Sequence, residues 1–403
     1  MQPYTEVNAD MPSTKDIFDL IDDTEIIQVT GDLVRIPSIT HHEGRGIVDY
    51  YEGWFKDLKI PVRLYPYEND RCNFFADYGA VSGPGRFLFN GHQDTKPTGA
   101  MTIDPFGAEI RDGRMYGRGA CDMKGGLAAI LCAFKAMVLA GRKPRGGITF
   151  ASDIEEEYGG QGGICKLLDS GLLDGYAGLI SGEPSNLEIN IGNRGGIATA
   201  FETRGRSAHS GLAHRGVNAI HNMAFFILEF LKLPYLQVEN PWFGKCTVNF
   251  EKIEGGLYLS AVPDRCLACI DTRLIPETPP EMVREQINRL MDRMNREQGI
   301  AVRETDPPLT WRVDKGGSPA AFIPPDHELV LRTVKAFERA TGGKAVLSGC
   351  PGATLAGCLI LRGTPSVICG PGALAQAHTD DEWVEVEQIP KAARIYAALM
   401  EEM

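Results

Sequence analysis

Residues 146–184 read GGITFASDIEEEYGGQGGICKLLDSGLLDGYAGLISGEP. GITFASD is a short apolar run that reads as a buried strand, QGGICKLLDSGLL reads as a helix, and YAGLISGE reads as a second strand. Strand, helix and strand in succession place two parallel strands in one sheet with the helix on its face. Working outward, RLYPYE (63–68), NFFADYG (73–79) and RFLFNGH (86–92) read as further strands. GGLAAILCAFKAMVLAG (125–141) is a long helical stretch bounded by glycine. Apolar residues also recur at helical spacing from Asp16 to Leu33 and from Gly46 to Leu58. The fold class expected is α/β, a helix-flanked and largely parallel sheet.

The pattern changes after Asn193. GIATAFETRGRSAHSG (196–211), KCTVNFEKIEGG (245–256) and DRCLACIDTRLIP (264–276) resemble antiparallel strands, with amphipathic helices near 215–232 and 280–297. That is a compact α+β unit. From about residue 314, DKGGSP reads as a linker back to alternation through HELVLRTVKAFERATG, GCLILRG and PSVICGPG. The second domain is therefore expected as an insertion over 195–313, between the two parts of a first domain, 1–194 and 314–403. A chain of 403 residues is long enough for two cores.

Composition narrows the function. A formal net charge of −12 argues against nucleic acid or an anionic membrane as partner, because both demand basic patches, and leaves small molecules as natural substrates. No run of eighteen apolar residues is present to span a bilayer. The opening MQPYTEVNADMPSTKD lacks the basic and apolar regions of a secretory signal, so a cytoplasmic location is expected. Ten cysteines in such a chain are expected as free thiols. Cys266 and Cys269 form a CxxC inside a strand, where an odd separation points them to opposite faces and argues against a shared metal.

Five metal-type ligands, His92, Asp122, Glu157, Glu183 and His378, each stand at a strand-to-loop junction amid small residues. Two divalent cations, three carboxylates and one bridging hydroxide sum to neutrality, with the imidazoles as neutral ligands. RFLFNGHQDTKP sets His92 and Asp94 two apart on one strand face, which suits a ligand and the aspartate that orients it, although HxD is also a common surface turn. In YGRGACDMKGG the glycines crowd backbone around Asp122, whose two oxygens suit a bridge between ions. Asp122 could equally cap the helix that follows, whereas the spacing of a phosphate-cradling loop is absent. Glu155, Glu156 and Glu157 lie between an apolar strand and a glycine-rich turn, where like charges repel unless neutralised. One of them as ligand and a neighbour as proton shuttle would exploit that crowding. LISGEPSNL presents Glu183 at a strand tip, and GPGALAQAHTDDEWV presents His378 in a loop. A lone histidine is more often a satisfied core residue than a ligand, so the inference rests on the five together.

GHQD, GRGACDMKGG, EEEYGGQG, GEPS and AHTDDEW, taken in this order, resemble the M20-type co-catalytic metallopeptidases and deacylases. That family includes acetylornithine deacetylase, succinyl-diaminopimelate desuccinylase, aminoacylase and glutamate carboxypeptidase. The resemblance spans nearly the whole chain. It implies that Asp122 bridges two zinc ions, with His92 and Glu183 completing one site and Glu157 and His378 the other. It further implies Asp94 as orienter, Glu156 as general base, a cis peptide after Asp122, and an inserted lid domain that makes a homodimer. Within the lid, TRGRSAHSGLAHRGVNAI resembles the segment whose histidine, here His209, serves the partner subunit's site as an oxyanion donor. DTRLIP resembles the segment whose arginine, here Arg273, holds a substrate carboxylate. His214, His41 and His42 have no counterpart and are expected as surface or loop residues.

The sequence departs from relatives at Ser260, where many carry Asn, and at Leu355 and Gly357, where Asp and Arg are frequent. These changes alter pocket polarity, so a relative's substrate does not transfer. The activity expected is metal-activated hydrolysis of a small N-acyl amino acid, with Glu156 moving the proton. A dipeptidase or carboxypeptidase, hydrolytic removal of an amine, and a silent metal-binding homologue are the competing readings. Zinc is the expected metal, and oxygen-rich ligation admits cobalt or manganese.

Overall fold

The apolar runs that decide the fold fall in buried strands of a computed structural model, which describes residues 15–80, 85–296 and 308–403. The opening stretch on which the location rests lies largely outside the described residues. The chain forms two compact units, one of residues 1–192, 322–350 and 354–403, the other of 193–321 and 351–353.

In the first unit, strand Phe87–His92 runs parallel to Ile148–Asp153 on one side and to Gly178–Pro184 on the other. Ser366–Gly370 continues the parallel core beside Gly178–Pro184. Antiparallel pairs extend the sheet, with Cys72–Tyr78 against Ile148–Asp153 and Val62–Pro66 beyond it. These core strands are buried along their length, as parallel strands covered on both faces must be. On one face, helix Gly125–Leu139 packs against Asp23–Arg35 and Gln388–Glu402. An aromatic cluster of Tyr51, Phe55, Phe74, Phe134 and Phe150 closes that side. The other face is covered by Ile164, Leu167, Leu355 and Leu359. Helix Gly125–Leu139 approaches the strand bearing Glu183 so closely that a Cβ on Gly126 would stand 2.1 Å from the Gly182 carbonyl oxygen. Only glycine permits that contact.

Local structure departs from the sequence reading in three places. The stretch Asp16–Leu33 is split, because Asp22 accepts from Thr24 N and starts a new helix at Asp23. Residues 161–173 hold only a turn and a four-residue helix, Lys166–Asp169. Gly163 breaks the helical path there, and its Cα lies so near the Ile154 carbonyl that a Cβ would stand 1.9 Å away. All of DKGGSP but its final proline falls in strand Leu309–Ser318, so it is not a linker.

The second unit is a four-stranded antiparallel sheet in the order Thr247–Gly255, Arg265–Leu274, Gly195–Arg204, Leu309–Ser318. Strand Arg265–Leu274 alternates buried and half-buried residues, the period expected when one face meets a core. Cys266 is buried and Cys269 is not, so the two point to opposite faces. Helices Ala219–Phe230 and Pro280–Arg296 bury Phe226, Phe230, Val283, Ile287 and Leu290 against Phe201 and Ile270. The described cysteines are all free thiols, and among the described residues no helix is long and apolar enough to cross a membrane.

Candidate metal centre

The carboxyl ends of parallel strands collect ligands because each strand stops there and its loop turns away. His92 ends one strand directly beside Asp153, the last residue of its neighbour. Glu156 and Glu157 follow Asp153 in a short turn, and Glu183 lies near the end of Gly178–Pro184. Asp122 enters from the loop before helix Gly125–Leu139, its backbone extended at φ −121° and its peptide bond to Met123 cis. The helix begins at Gly125 with Lys124 at its N-cap, so Asp122 is not a helix cap.

These side chains converge. Asp122 Oδ1 lies 2.9 Å from His92 Nε2, and Oδ2 lies 3.3 Å from His378 Nε2. His92 Nε2 is also 3.8 Å from Glu183 Oε1, and His378 Nε2 is 2.8 Å from Glu157 Oε2. One carboxylate thus spans two imidazoles, each with a carboxylate of its own. Glu156 joins the same space, with donor atoms of His92, Glu156 and Glu183 all within 4.8 Å of one another.

Asp94 contacts more than His92. The His92 Nδ1 contact at 2.9 Å is to the Asp94 backbone carbonyl, with the carboxylate 3.5 Å away. The Asp94 carboxylate instead accepts from the backbone N–H of Glu156 at 3.1 Å and of Glu157 at 3.2 Å, and from the Thr40 hydroxyl. It therefore holds the turn that aims both glutamates.

Electrostatics follow from burial and crowding. Burial opposes charge on His92, but Glu183, Asp122 and Asp94 outweigh it and hold its pKa well above the ordinary value. Hydrogen bonds to Asp122 and Glu157 raise His378 to about 9. Burial, reinforced by Asp122, Asp94 and Glu157, raises Glu156 to about 8, and burial likewise holds Glu183 well above the carboxylate range. Burial works against Asp122 as well, yet its two imidazole partners keep it below the usual value. A cluster that draws protons onto its own bases is short of positive charge.

Three contributors were not singled out from the sequence. Glu382, in the AHTDDEW segment, is 1% exposed and accepts from the N–H groups of Gly119, Cys121 and Asp122 and from Arg118. It fastens the loop that carries Asp122, and the sequence sign of it is an acid four residues after His378. Glu155 is buried on Arg71 and accepts from Gly162 N, so the three glutamates are not a solvated face. His41 reaches Glu155 at 3.2 Å and is more than a free loop residue.

His209 and Arg273 belong to the second unit. His209 Nδ1 accepts from Gly211 N at 3.1 Å and starts the exposed turn Ser210–Arg215, which also holds His214. Arg273 Nε donates to Asp271 at 2.7 Å. Ser260 is exposed and accepts from Ser210 N, while Leu355 and Gly357 are buried, Leu355 within the apolar core of the first unit.

The sequence profile of Peptidase family M20/M25/M40 matches residues 88–402, a span that contains every residue of the converged cluster. The chain belongs to peptidase family M20/M25/M40. This M20 protein is a hydrolase acting on amide bonds. It is 29% identical over 380 residues to acetylornithine deacetylase of Klebsiella pneumoniae (strain 342), covering 90% of this chain and 94% of that protein. Its fold resembles aminopeptidase PepT of Bacillus cereus ATCC 10987, with a TM-score of 0.76 and 23% identity over 95% of this chain and 99% of that one. It also resembles the Bacillus subtilis YXEP protein, a dinuclear metal-binding peptidase of the M20 family, with a TM-score of 0.68 and 16% identity over 94% and 97% of the two chains.

Proposed function

We propose that this M20 hydrolase is a two-metal deacylase that cleaves the amide bond of a small N-acyl amino acid. The observation that carries the reading is Asp122 reaching two imidazole and carboxylate pairs, His92 with Glu183 and His378 with Glu157. The donor set fits divalent ions, since all five side chains offer carboxylate oxygen or imidazole nitrogen and the cluster lacks positive charge. Zinc suits it, with cobalt or manganese as substitutes. When bound, such ions supply acidified water and Lewis-acid polarisation of the scissile carbonyl.

Glu156 accepts the proton of the attacking water at its carboxylate and delivers it to the departing amine nitrogen. Asp94 keeps that carboxylate in place through the backbone N–H groups it holds. Glu382 does the same for the loop bearing Asp122. His209 donates to the developing oxyanion in the partner subunit's site, and Arg273 binds the substrate carboxylate. The sequence resemblance supports these two roles. Homodimerisation through the second unit is supported by its exposed edge strand Thr247–Gly255 and by the adjoining Leu257, Tyr258 and Leu259, which are 87%, 74% and 107% exposed. Ten free thiols suit a reducing, cytoplasmic setting.

The likeness to acetylornithine deacetylase favours an N-acyl amino acid. The fold likeness to an aminopeptidase supports peptide-bond cleavage, by a dipeptidase or carboxypeptidase, as second reading. Assay of zinc-reconstituted protein against N-acetyl amino acids and dipeptides, with released amine as readout, separates them. Faster deacylation is expected. Peptide cleavage without deacylation moves the assignment to the second reading.

A further inference from the structure

Lys96 lies two residues after Asp94 in GHQDTKP, and neither the fold nor the proposed chemistry uses it. Its ammonium donates to the Glu157 backbone carbonyl and stands 3.3 Å from Glu157 Oε2. That is the same oxygen that faces His378 Nε2 at 2.8 Å. The ring of Tyr158 holds the ammonium from another side, its centroid 4.3 Å from Nζ. The Lys96 side chain is 25% exposed and that of Glu157 only 3%, so water screens the pair weakly. Among the described residues, neither lysine nor arginine forms an ion pair with Glu183 in the other half of the centre.

We propose that Lys96 is a resident counter-cation of Glu157 that a metal ion must displace, making the two metal positions unequal. The position at His92 and Glu183 binds tightly, and the one at His378 and Glu157 binds weakly. The inference rests on the two-metal reading above. An ion coordinated by a carboxylate oxygen sits about 2.0–2.2 Å from it, which brings a divalent charge within a few ångströms of the ammonium. The lysine stem is flexible enough to swing the ammonium out, but at the loss of its Glu157 carbonyl and Tyr158 contacts. Lys96 is thus a positioning residue that acts through Glu157, and the occupancy of one metal position becomes graded with free metal concentration.

Equilibrium dialysis of metal-free protein against zinc or cobalt, with bound metal counted, tests this on wild type, Lys96→Met and Lys96→Arg. Wild type is expected to fill in a tight and a weak step. In Lys96→Met the weak step tightens by at least about tenfold, as removal of a nearby like charge requires, and the tight step stays unchanged. Lys96→Arg keeps the charge and keeps the weak step weak. The unchanged tight step shows that the variants fold. Two steps of the same affinities in wild type and Lys96→Met overturn the role of Lys96 and leave the two-metal reading standing. Failure of all three proteins to take up a second ion at any concentration overturns both.

Discussion

The half of the centre built on His92 and Glu183 and the half built on His378 and Glu157 share Asp122 but are held by different means. His92 and Glu183 stand at or near the ends of parallel strands, in a register fixed by backbone hydrogen bonds, and the His92 side chain is 1% exposed. His378 sits in a loop at φ 63°, its side chain 49% exposed, and its partner Glu157 depends on a turn fastened by Asp94. Ligands on regular elements need little ordering when an ion binds, whereas ligands on loops must be ordered by it. On the proposed two-metal reading, one half is therefore prepared in advance and the other is adjustable.

Asp122 belongs to both halves, so its loss erases the contrast. Asp122→Ala is expected to abolish both metal-binding steps and lower turnover by several kcal/mol of barrier, about a thousandfold or more, measured by metal content and kcat/KM. Glu156→Ala leaves the contrast intact while removing the proposed proton carrier. Turnover should fall by roughly 10²–10⁴-fold with metal content unchanged, and near-normal activity rejects the assigned base.

Glu382→Gln probes the shared support beneath both halves. It keeps the shape but weakens charge-assisted bonds to the loop of Asp122, and about a 10–100-fold loss of metal affinity at both steps is expected by titration. A loss confined to one step would mean that the two halves do not share that loop as their support.

The smallest effect is on the pH dependence of the metal-free protein. The folded pKa of His378 is raised from the ordinary value of 6.5 to about 9, so its contribution to stability is fully present below 6.5 and is lost as pH rises through 9. The raised pKa values of Glu156 and Glu183 act in the same direction, because their deprotonated forms are disfavoured in the folded cluster. Unfolding temperature measured with a chelator present should fall from about pH 5 to pH 9, and bound metal should remove most of that slope. A flat profile without metal would show that the imidazoles and carboxylates are not crowded as described.

Much of this was legible in the sequence, for identifiable reasons. Strands Phe87–His92, Ile148–Asp153 and Gly178–Pro184 open on apolar runs and carry a His, Asp or Glu at or one residue before their ends, so both the sheet and its ligand-bearing edge can be read from residue order. The segment at 161–173 misled because its leucines have helical spacing while Gly163 must yield to the Ile154 carbonyl, a neighbour that sequence spacing does not reveal. Glu382 and Asp94 were unread or half-read for the same reason. Their partners are backbone N–H groups, which every residue but proline carries and no motif distinguishes.

By itself, the order of residues determined which side chains could bind a cation and that strands would end beside them, since ligand chemistry and hydrophobic period are local properties. Tertiary structure decided the rest: that Asp122 faces two imidazoles at once, that Asp94 steadies a turn 62 residues away, and that Lys96 stands against a Glu157 oxygen. Distances between segments far apart in the chain arise from how the sheet and its loops pack, and no local pattern encodes them.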